Sequence, residues 1–228
     1  MIKLWKYIAH FWYVAINWNV WMAFFMVYDN VRGALKYGSG TFIPVELKQL
    51  TITRGDLSKS SRYEPVSYYM LEHLFQAFRK LSPQKSIVDL GCGKGRMMMV
   101  APSFGFTSVT GIDFARELCE QAGENMQKKE KEFPHLQWRV LNENVEDYVV
   151  RPEDSVFFMF NPFTESVLRQ FIKKVNASCD QFPRDTYFLY ASPQHRQLLL
   201  ESGYAIVYQK HKMHLESIIA VRDHHSVS

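Results

Sequence analysis

Apolar and polar positions follow two different patterns along most of this chain, one typical of strands and one typical of helices. Seven short apolar runs have the length of strands, and turn residues bound them. The stretches between most of them repeat apolar residues every three or four positions, which predicts amphipathic helices. The predicted strands are residues 86–90, 108–113, 137–141, 155–160, 186–190, 204–208 and 215–221. This alternation, closed by a hairpin-like pair, predicts an α/β fold with a doubly wound, mostly parallel seven-stranded sheet and an amino-terminal helical extension.

The amino-terminal segment has a different pattern. No Lys, Arg, Asp or Glu occurs from Tyr7 to Tyr28, and four of the five tryptophans lie within the first 21 residues. About 20 apolar residues could span a bilayer, but His10, Asn17 and Asn19 interrupt the run and are costly in hydrocarbon. The polar positions at helical spacing are Lys3, Lys6, His10, Tyr13 and Asn17. Three interpretations stay open: a helix packed on the domain or on a second subunit, a helix lying at a membrane interface, and a membrane span.

Residues 29–61 are predicted to form a connector. Residues 37–41 have a turn-like composition, Pro44 follows, and residues 51–61 are mostly polar. A helix is then expected over residues 66–81. We therefore divide the chain into an aromatic-rich helix and connector, residues 1–61, and a second domain, residues 62–228.

Composition sets wide limits on function. The chain has 228 residues, 47% of them apolar, which is enough for one ordinary domain and an extension. The net charge of +4 is mild, so a nucleic-acid partner is not indicated. The three cysteines, Cys92, Cys119 and Cys179, have no metal-ligand spacing. We expect no metal site and a reducing, cytoplasmic location.

The strongest chemical signal follows the first predicted strand. Gly91, Gly93 and Gly95 stand at alternate positions directly after it, where they permit positive φ angles and close approach of a ligand to the backbone. A dinucleotide fingerprint would need its third glycine at position 96, which is Arg96. Asp113 ends the second strand, 22 residues after Gly91, and is placed to bind two ribose hydroxyls.

The pattern from Asp89 to Gly95, D-x-G-x-G-x-G, resembles the cofactor loop of class I S-adenosylmethionine-dependent methyltransferases. The chain looks most similar to bacterial members of unassigned substrate that share three features with it. These are the opening Arg62-Tyr63-Glu64-Pro65, the loop with its following Arg96, and the strand end Phe160-Asn161-Pro162-Phe163. Membrane-anchored protein-lysine methyltransferases are a more distant likeness. The resemblance implies the strand order 3-2-1-4-5-7-6, with strand seven antiparallel, and S-adenosylmethionine as cofactor.

The resemblance also implies roles for individual residues. In this superfamily an acceptor after strand three binds the adenine amine and the next residue packs on the ring, which selects Asn144 and Val145. Asn161 and Phe163 follow strand four, where the superfamily handles the methyl acceptor, so we assign them the catalytic role. Amine-methylating enzymes often carry Asn-Pro-Pro-aromatic here, whereas this chain has Phe163 in the second Pro position. The expected cofactor-binding residues are Asp89, Gly91, Cys92, Gly93, Gly95, Asp113, Asn144, Val145 and Asn161.

The leading hypothesis is methyl transfer from S-adenosylmethionine to an unidentified acceptor, with a nitrogen nucleophile on a protein lysine or a small amine suggested. One alternative is a non-catalytic protein that binds S-adenosylmethionine or S-adenosylhomocysteine. Another is a nicotinamide-linked oxidoreductase, which the missing third glycine disfavours. Residues 1–28 are candidates for peripheral membrane contact or self-association under each hypothesis.

Overall fold

The computed structural model describes residues 11–17, 19–38, 40–41, 64–160 and 163–224, and a seven-stranded sheet forms its central layer. The parallel strands lie in the first part of the sheet, and an antiparallel pair ends the chain. The strands are β1 (Ser86–Leu90), β2 (Ser108–Asp113), β3 (Gln137–Asn142), β4 (Val156–Phe160), β5 (Thr186–Ala191), β6 (Ala205–Lys212) and β7 (Leu215–Arg222).

Helices cover both faces of this sheet. They are α1 (Val20–Tyr37), α2 (Tyr68–Leu81), α3 (Arg96–Val100), α4 (Arg116–Glu132), α5 (Glu165–Gln181) and α6 (Arg196–Glu201). A 3₁₀ turn, Ala101–Phe104, continues α3, and residues 11–17 are also helical.

The strand order is β3-β2-β1-β4-β5-β7-β6, as the resemblance implied. β7 runs antiparallel to both of its neighbours, while all other pairings are parallel. The predicted fold class and strand order are therefore confirmed. In a sheet of this kind, ligands bind beyond the carboxyl ends of the parallel strands, where the strand order reverses between β1 and β4.

Two apolar clusters hold the layers together, one on each face of the sheet. On one face, Phe75 and Phe78 of α2 pack around Phe106 with centroid distances of 5.1 and 5.8 Å. On the other, Phe171 of α5 packs edge-on against Phe157 of β4 at 5.4 Å. The alternation of side chains along each strand sends neighbouring residues to opposite clusters.

The structure corrects the predicted connector. Residues 29–37 are not a linker but the second half of α1, an 18-residue helix. Asp29 and Asn30 of this segment are buried, because this side of α1 faces α2. The proposed boundary at residue 61 lies outside the described residues and stays a prediction.

A buried carboxylate joins α1 to the start of α2. Asp29, 1% exposed, accepts hydrogen bonds from Ser67 Oγ at 2.8 Å and from the Tyr69 backbone N–H at 3.0 and 3.2 Å. It therefore caps amides that the first turn of α2 would leave unpaired. Arg32 adds a bond to Asp29 and two to Glu72 of α2, at 3.0 and 2.7 Å.

Close backbone approach supports the same contact. Gly33 lies against the Tyr68 ring, where an added Cβ would come within 2.0 Å of a ring carbon.

Among the helices that the structure describes, none has the length and apolar character that crossing a bilayer demands.

We predict that Asp29→Ala lowers the free energy of unfolding by about 2–4 kcal/mol, because buried donors on Ser67, Tyr69 and Arg32 lose their acceptor. Glu120→Ala is the matched control, since it breaks an exposed Arg116–Glu120 pair on α4 and should cost less than about 0.5 kcal/mol. Urea unfolding of both variants measures the difference. Equal losses would show that α1 does not depend on this carboxylate.

Candidate functional site

The glycine loop is anchored to the end of β2. The backbone N–H groups of Gly91 and Cys92 both donate to the Ile112 carbonyl at 2.9 Å. Gly91, Gly93 and Gly95 have φ angles of 77°, 53° and 77°, which only glycine adopts without strain. The alternate glycines thus let the chain turn tightly from β1 into α3 over the carboxyl edge of the sheet.

Asp113 connects this loop to the start of α4. One carboxylate oxygen accepts from the Gly93 N–H at 2.8 Å and the other from the Ala115 N–H at 2.9 Å. A carboxylate has about four lone-pair positions, so room remains for a further donor. Burial raises the pKa of Asp113 to about 6, although backbone donors at Ala115, Gly93 and Phe114 oppose this shift.

Asp89 is a second buried carboxyl group at the same edge. It is 2% exposed, and within the described part of the chain no hydrogen bond reaches its side chain. Burial raises its pKa well above the ordinary value, and the nearby charge of Asp113 adds to the effect. An unpaired buried carboxyl group beside another carboxylate favours a ligand that brings positive charge and donors.

This electrostatic character separates the candidate cofactors. A methionine-derived ligand carries an ammonium and a sulfonium group, whereas a nicotinamide dinucleotide carries an anionic pyrophosphate. Two carboxyl groups at one edge of the sheet favour the cationic first ligand over the anionic second one. The residues present therefore fit S-adenosylmethionine.

The two cysteines nearby do not have the properties of nucleophiles. Burial, with the Asp113 charge, raises the pKa of Cys92 well above the ordinary thiol value and that of Cys119 to about 12. Both therefore stay protonated at neutral pH. The Cys119 thiol instead donates to the Asp113 backbone carbonyl at 3.3 Å.

The end of β3 lies beside Asp113. Asn142 pairs with Asp113 in the strand register, and its side-chain amide donates to the Asp113 carbonyl at 3.1 Å. The following turn is closed by the Asp147 N–H, which donates to the Asn144 carbonyl at 2.9 Å. Asn144 is half-buried at this edge, and Val145 is buried against the second core cluster. Their adenine-binding roles stay predictions.

The end of β4 completes the edge. Leu90 of β1 pairs with Met159 of β4, so the carboxyl ends of these two strands lie side by side. Asn161 lies outside the described residues. Phe163 is half-buried against the second core cluster. The roles of both in acceptor binding stay predictions.

Sequence reasoning missed three residues that shape the loop. An added Cβ at Gly111 would lie 2.4 Å from Met98 Sδ and 2.9 Å from Cys92 Sγ. Only glycine at this position therefore lets the loop pack closely against β2. Asn125 of α4 donates to the Lys94 carbonyl at 3.0 Å. A glycine inside a predicted strand signals close backbone approach, whereas nothing in the sequence pattern singles out Asn125.

Arg96 is the third missed residue, and it joins the loop to the amino-terminal part of the chain. Buried at the start of α3, it donates to Thr41 Oγ1 at 2.9 Å and to the Val66 carbonyl at 2.8 Å. Its guanidinium also lies 4.3 Å from the centre of the Tyr68 ring. In the sequence analysis it excluded a dinucleotide fingerprint and formed part of the family resemblance, but neither use predicts these contacts.

Comparison with known proteins agrees with this geometry. Residues 87–180 match the family model described as "Methyltransferase domain". This match supports the resemblance of the chain to the class I S-adenosylmethionine-dependent methyltransferases. The matched residues include the glycine loop, Asp113 and the end of β4.

Solved structures share the fold at low sequence identity. An RNA methyltransferase from Salinibacter ruber, in complex with S-adenosyl-L-homocysteine, is 13% identical with a TM-score of 0.52, covering 70% of this chain and 94% of its own. Magnesium protoporphyrin IX methyltransferase from Synechocystis, also with S-adenosylhomocysteine bound, is 11% identical with a TM-score of 0.51, covering 71% and 90%.

One curated relative is more similar in sequence over a shorter stretch. The small RNA 2'-O-methyltransferase of Schizosaccharomyces pombe is 30% identical over 87 residues, which are 36% of this chain. The match spans 23% of that relative, so the two proteins share a segment rather than a whole architecture.

We predict that Gly111→Ala destabilises the domain by about 1–3 kcal/mol, because the new methyl group must displace Cys92 or Met98. Gly123→Ala on α4 is the matched control, since a Cβ there meets no atom within 4 Å. That change should stabilise by about 0.5–1 kcal/mol. Thermal and urea unfolding distinguish the two, and a stabilising Gly111→Ala would contradict the close packing of loop and strand.

We also predict a pH dependence of stability. Since the pKa of Asp113 is raised in the folded state, to about 6, the unfolded chain releases its proton first as pH rises. The contribution of Asp113 to the free energy of unfolding is therefore fully present below about pH 4. It decreases by about 2–3 kcal/mol as the pH rises to about 6. Asp113→Asn should flatten this slope in urea unfolding at pH 4, 5 and 6.5. Parallel curves for variant and wild type would contradict the raised pKa.

Proposed function

We propose that this protein transfers a methyl group from S-adenosylmethionine to a nitrogen nucleophile, on a protein lysine or a small amine. The single observation behind the methyltransferase part is the loop that holds Asp89 and Asp113 at one edge of the sheet. The nitrogen acceptor rests on Asn161 and Phe163, which follow β4 in the sequence. We further propose a cytoplasmic location, which three free, buried cysteines support.

In this proposal the chain's residues hold the donor and exclude water. The Asp113 carboxylate would accept the ribose hydroxyls. Asp89 would accept from the amino group, and the backbone of Gly91, Cys92, Gly93 and Gly95 would wrap the amino-acid end. Asn144 and Val145 would contact the adenine. Hydrogen bonds from the ligand would then stabilise the ionised carboxylates of Asp89 and Asp113, which water does not reach. The pKa values of both residues would therefore fall.

S-adenosylmethionine supplies an electrophilic methyl group, and an in-line attack by the acceptor's lone pair leaves the bonding electrons on sulfur. The side-chain oxygen of Asn161 would accept an N–H of the acceptor amine and so orient its lone pair. Phe163 would pack against the acceptor or the methyl-bearing cation. Positioning and desolvation of the reactants are the main sources of rate acceleration in such a reaction, since no covalent intermediate with the protein is needed.

A second candidate acceptor is a hydroxyl or base of RNA. It is favoured by the 87-residue segment shared with a small RNA 2'-O-methyltransferase and by the fold shared with an RNA methyltransferase. The net charge of +4 is too small to decide for it. The non-catalytic alternative is a protein that binds the cofactor without transferring its methyl group.

Methyl-tritiated S-adenosylmethionine distinguishes these functions. The protein is incubated with separate protein, RNA, lipid and small-molecule fractions of a cell extract, and label is counted in each. Our proposal expects label in the protein or small-amine fraction, stable to alkali as an N-methyl group. Label confined to RNA would establish the second candidate, and no label in any fraction would favour the non-catalytic protein.

We predict that Asn161→Ala slows methyl transfer to the labelled acceptor by about 100-fold or more, since one positioning acceptor of this kind contributes about that much. Binding of S-adenosylhomocysteine should weaken by less than about tenfold, because Asp113 and the glycine loop remain. Steady-state kinetics and calorimetry separate the two quantities. Unchanged turnover would remove Asn161 from the reaction.

A further inference from the structure

α1 exposes an apolar face to the solvent, unlike a helix on the surface of an ordinary globular protein. Its polar residues Asp29 and Asn30 face the domain and are buried. Most of its large apolar residues face outward, and the exposed fractions of Trp21 and Leu35 are 75% and 85%. A surface helix of a globular protein buries its apolar stripe instead. The buried Asp29 and Arg32 contacts fix this orientation.

Residues 11–17 enlarge the same surface. The ring of Phe11 packs edge-on against Phe24 at 5.2 Å, and Val14 is buried with Met22 and Ala23. In a continuous helix Phe11 and Phe24 would stand about 20 Å apart, so the chain folds back near Asn19. We call the exposed apolar side chains of both helical segments the outer face. They are Trp12, Tyr13, Ile16, Val20, Trp21, Phe24, Val27, Tyr28, Val31 and Leu35.

The outer face is one continuous stripe on α1. At 100° per residue, its positions from Val20 to Leu35 occupy about a third of the helix circumference, with no charged residue among them. Such contiguous apolar surface marks a contact with another molecule or with lipid. Tryptophan and tyrosine are the residues that favour the headgroup region of a bilayer.

The border of the outer face is basic. The ammonium group of Lys212 on β6 lies 4.7 Å from the centre of the Phe25 ring of α1, and Lys210 stands on the same strand. Lys36, in the last turn of α1, is exposed but pairs with Glu72 of α2 at 3.1 Å, so the free positive charge of the border lies on β6. Over residues 11–35 the sole acidic residue is Asp29, whose carboxylate is buried against α2. An apolar stripe bordered by lysines complements a surface that is apolar inside and anionic outside.

We propose that the outer face binds a lipid bilayer that contains anionic phospholipid, with α1 lying in the plane of the interface and Lys210 and Lys212 near the phosphates. A second copy of this chain is the competing occupant. A two-fold dimer would place the same apolar stripe and the same lysine border of both copies around one interface, with no acidic partner on the outer face. The charge pattern therefore favours lipid.

Co-sedimentation with vesicles tests the proposal. The full chain is mixed with vesicles of phosphatidylcholine and phosphatidylglycerol at 3:1, and with vesicles of phosphatidylcholine alone. We expect it to pellet with the first and to bind the second at least about fivefold more weakly, since each lysine near an anionic surface contributes about that factor. Brominated lipid should quench tryptophan fluorescence, because four of the five tryptophans lie in the first 21 residues.

Two variants identify the surface responsible. Trp21→Ser with Phe24→Ser should weaken vesicle binding by at least about tenfold. Lys210→Gln with Lys212→Gln should reduce the preference for anionic lipid. Val149→Ser with Phe182→Ser is the matched control, because it removes two exposed apolar side chains elsewhere and should leave binding unchanged. Binding of S-adenosylhomocysteine by each variant shows that the domain is folded.

Three results would overturn the proposal. The wild-type chain could fail to pellet with either vesicle, or the Trp21→Ser, Phe24→Ser variant could bind as well as wild type. Sedimentation velocity without lipid could instead show a dimer that this variant converts to a monomer, in which case a second copy occupies the outer face. Each result is independent of which acceptor is methylated.

Discussion

The Asp113 carboxylate, buried between two backbone amides, is the interaction on which the site depends. It binds the glycine loop to the end of β2 through Gly93 and to the start of α4 through Ala115. The loop, the second strand and the next helix therefore share one rigid junction. Because that junction lies at the carboxyl ends of β1 and β2, it is next to the crevice between β1 and β4 in which such sheets bind ligands.

The same burial has an electrostatic consequence. Asp89 and Asp113 both have raised pKa values, so the free protein holds carboxyl groups that solvent does not stabilise. A ligand that brings hydrogen-bond donors and positive charge stabilises the ionised form of these carboxyl groups, and an anionic pyrophosphate does not. In the proposed binding mode, ligand selectivity follows from the position of these two carboxyl groups rather than from the fold, which many unrelated enzymes share.

The sequence predicts the sheet well because its parallel strands are buried on both faces and appear as continuous apolar runs bounded by turns. It predicts the glycine loop because positive φ angles require glycine at fixed positions. It fails for residues 29–37, where Asp29 and Arg32 look solvated but face α2. It also fails for β6, which continues to Lys212 past its apolar run because a hairpin partner pairs with it. Gly111 and Arg96 gain their roles from contacts across the sheet that local patterns do not record.

Calorimetric titration with S-adenosylhomocysteine, beside NAD and the Asp113→Ala variant, tests the central claim most directly. The account predicts micromolar binding of S-adenosylhomocysteine to the wild type, no binding of NAD, and loss of at least about 2 kcal/mol of binding free energy in the variant, since a buried acceptor of two hydroxyl donors is removed. Equal affinity in variant and wild type, or tighter binding of NAD, would contradict the assignment of Asp89 and Asp113 to the cofactor.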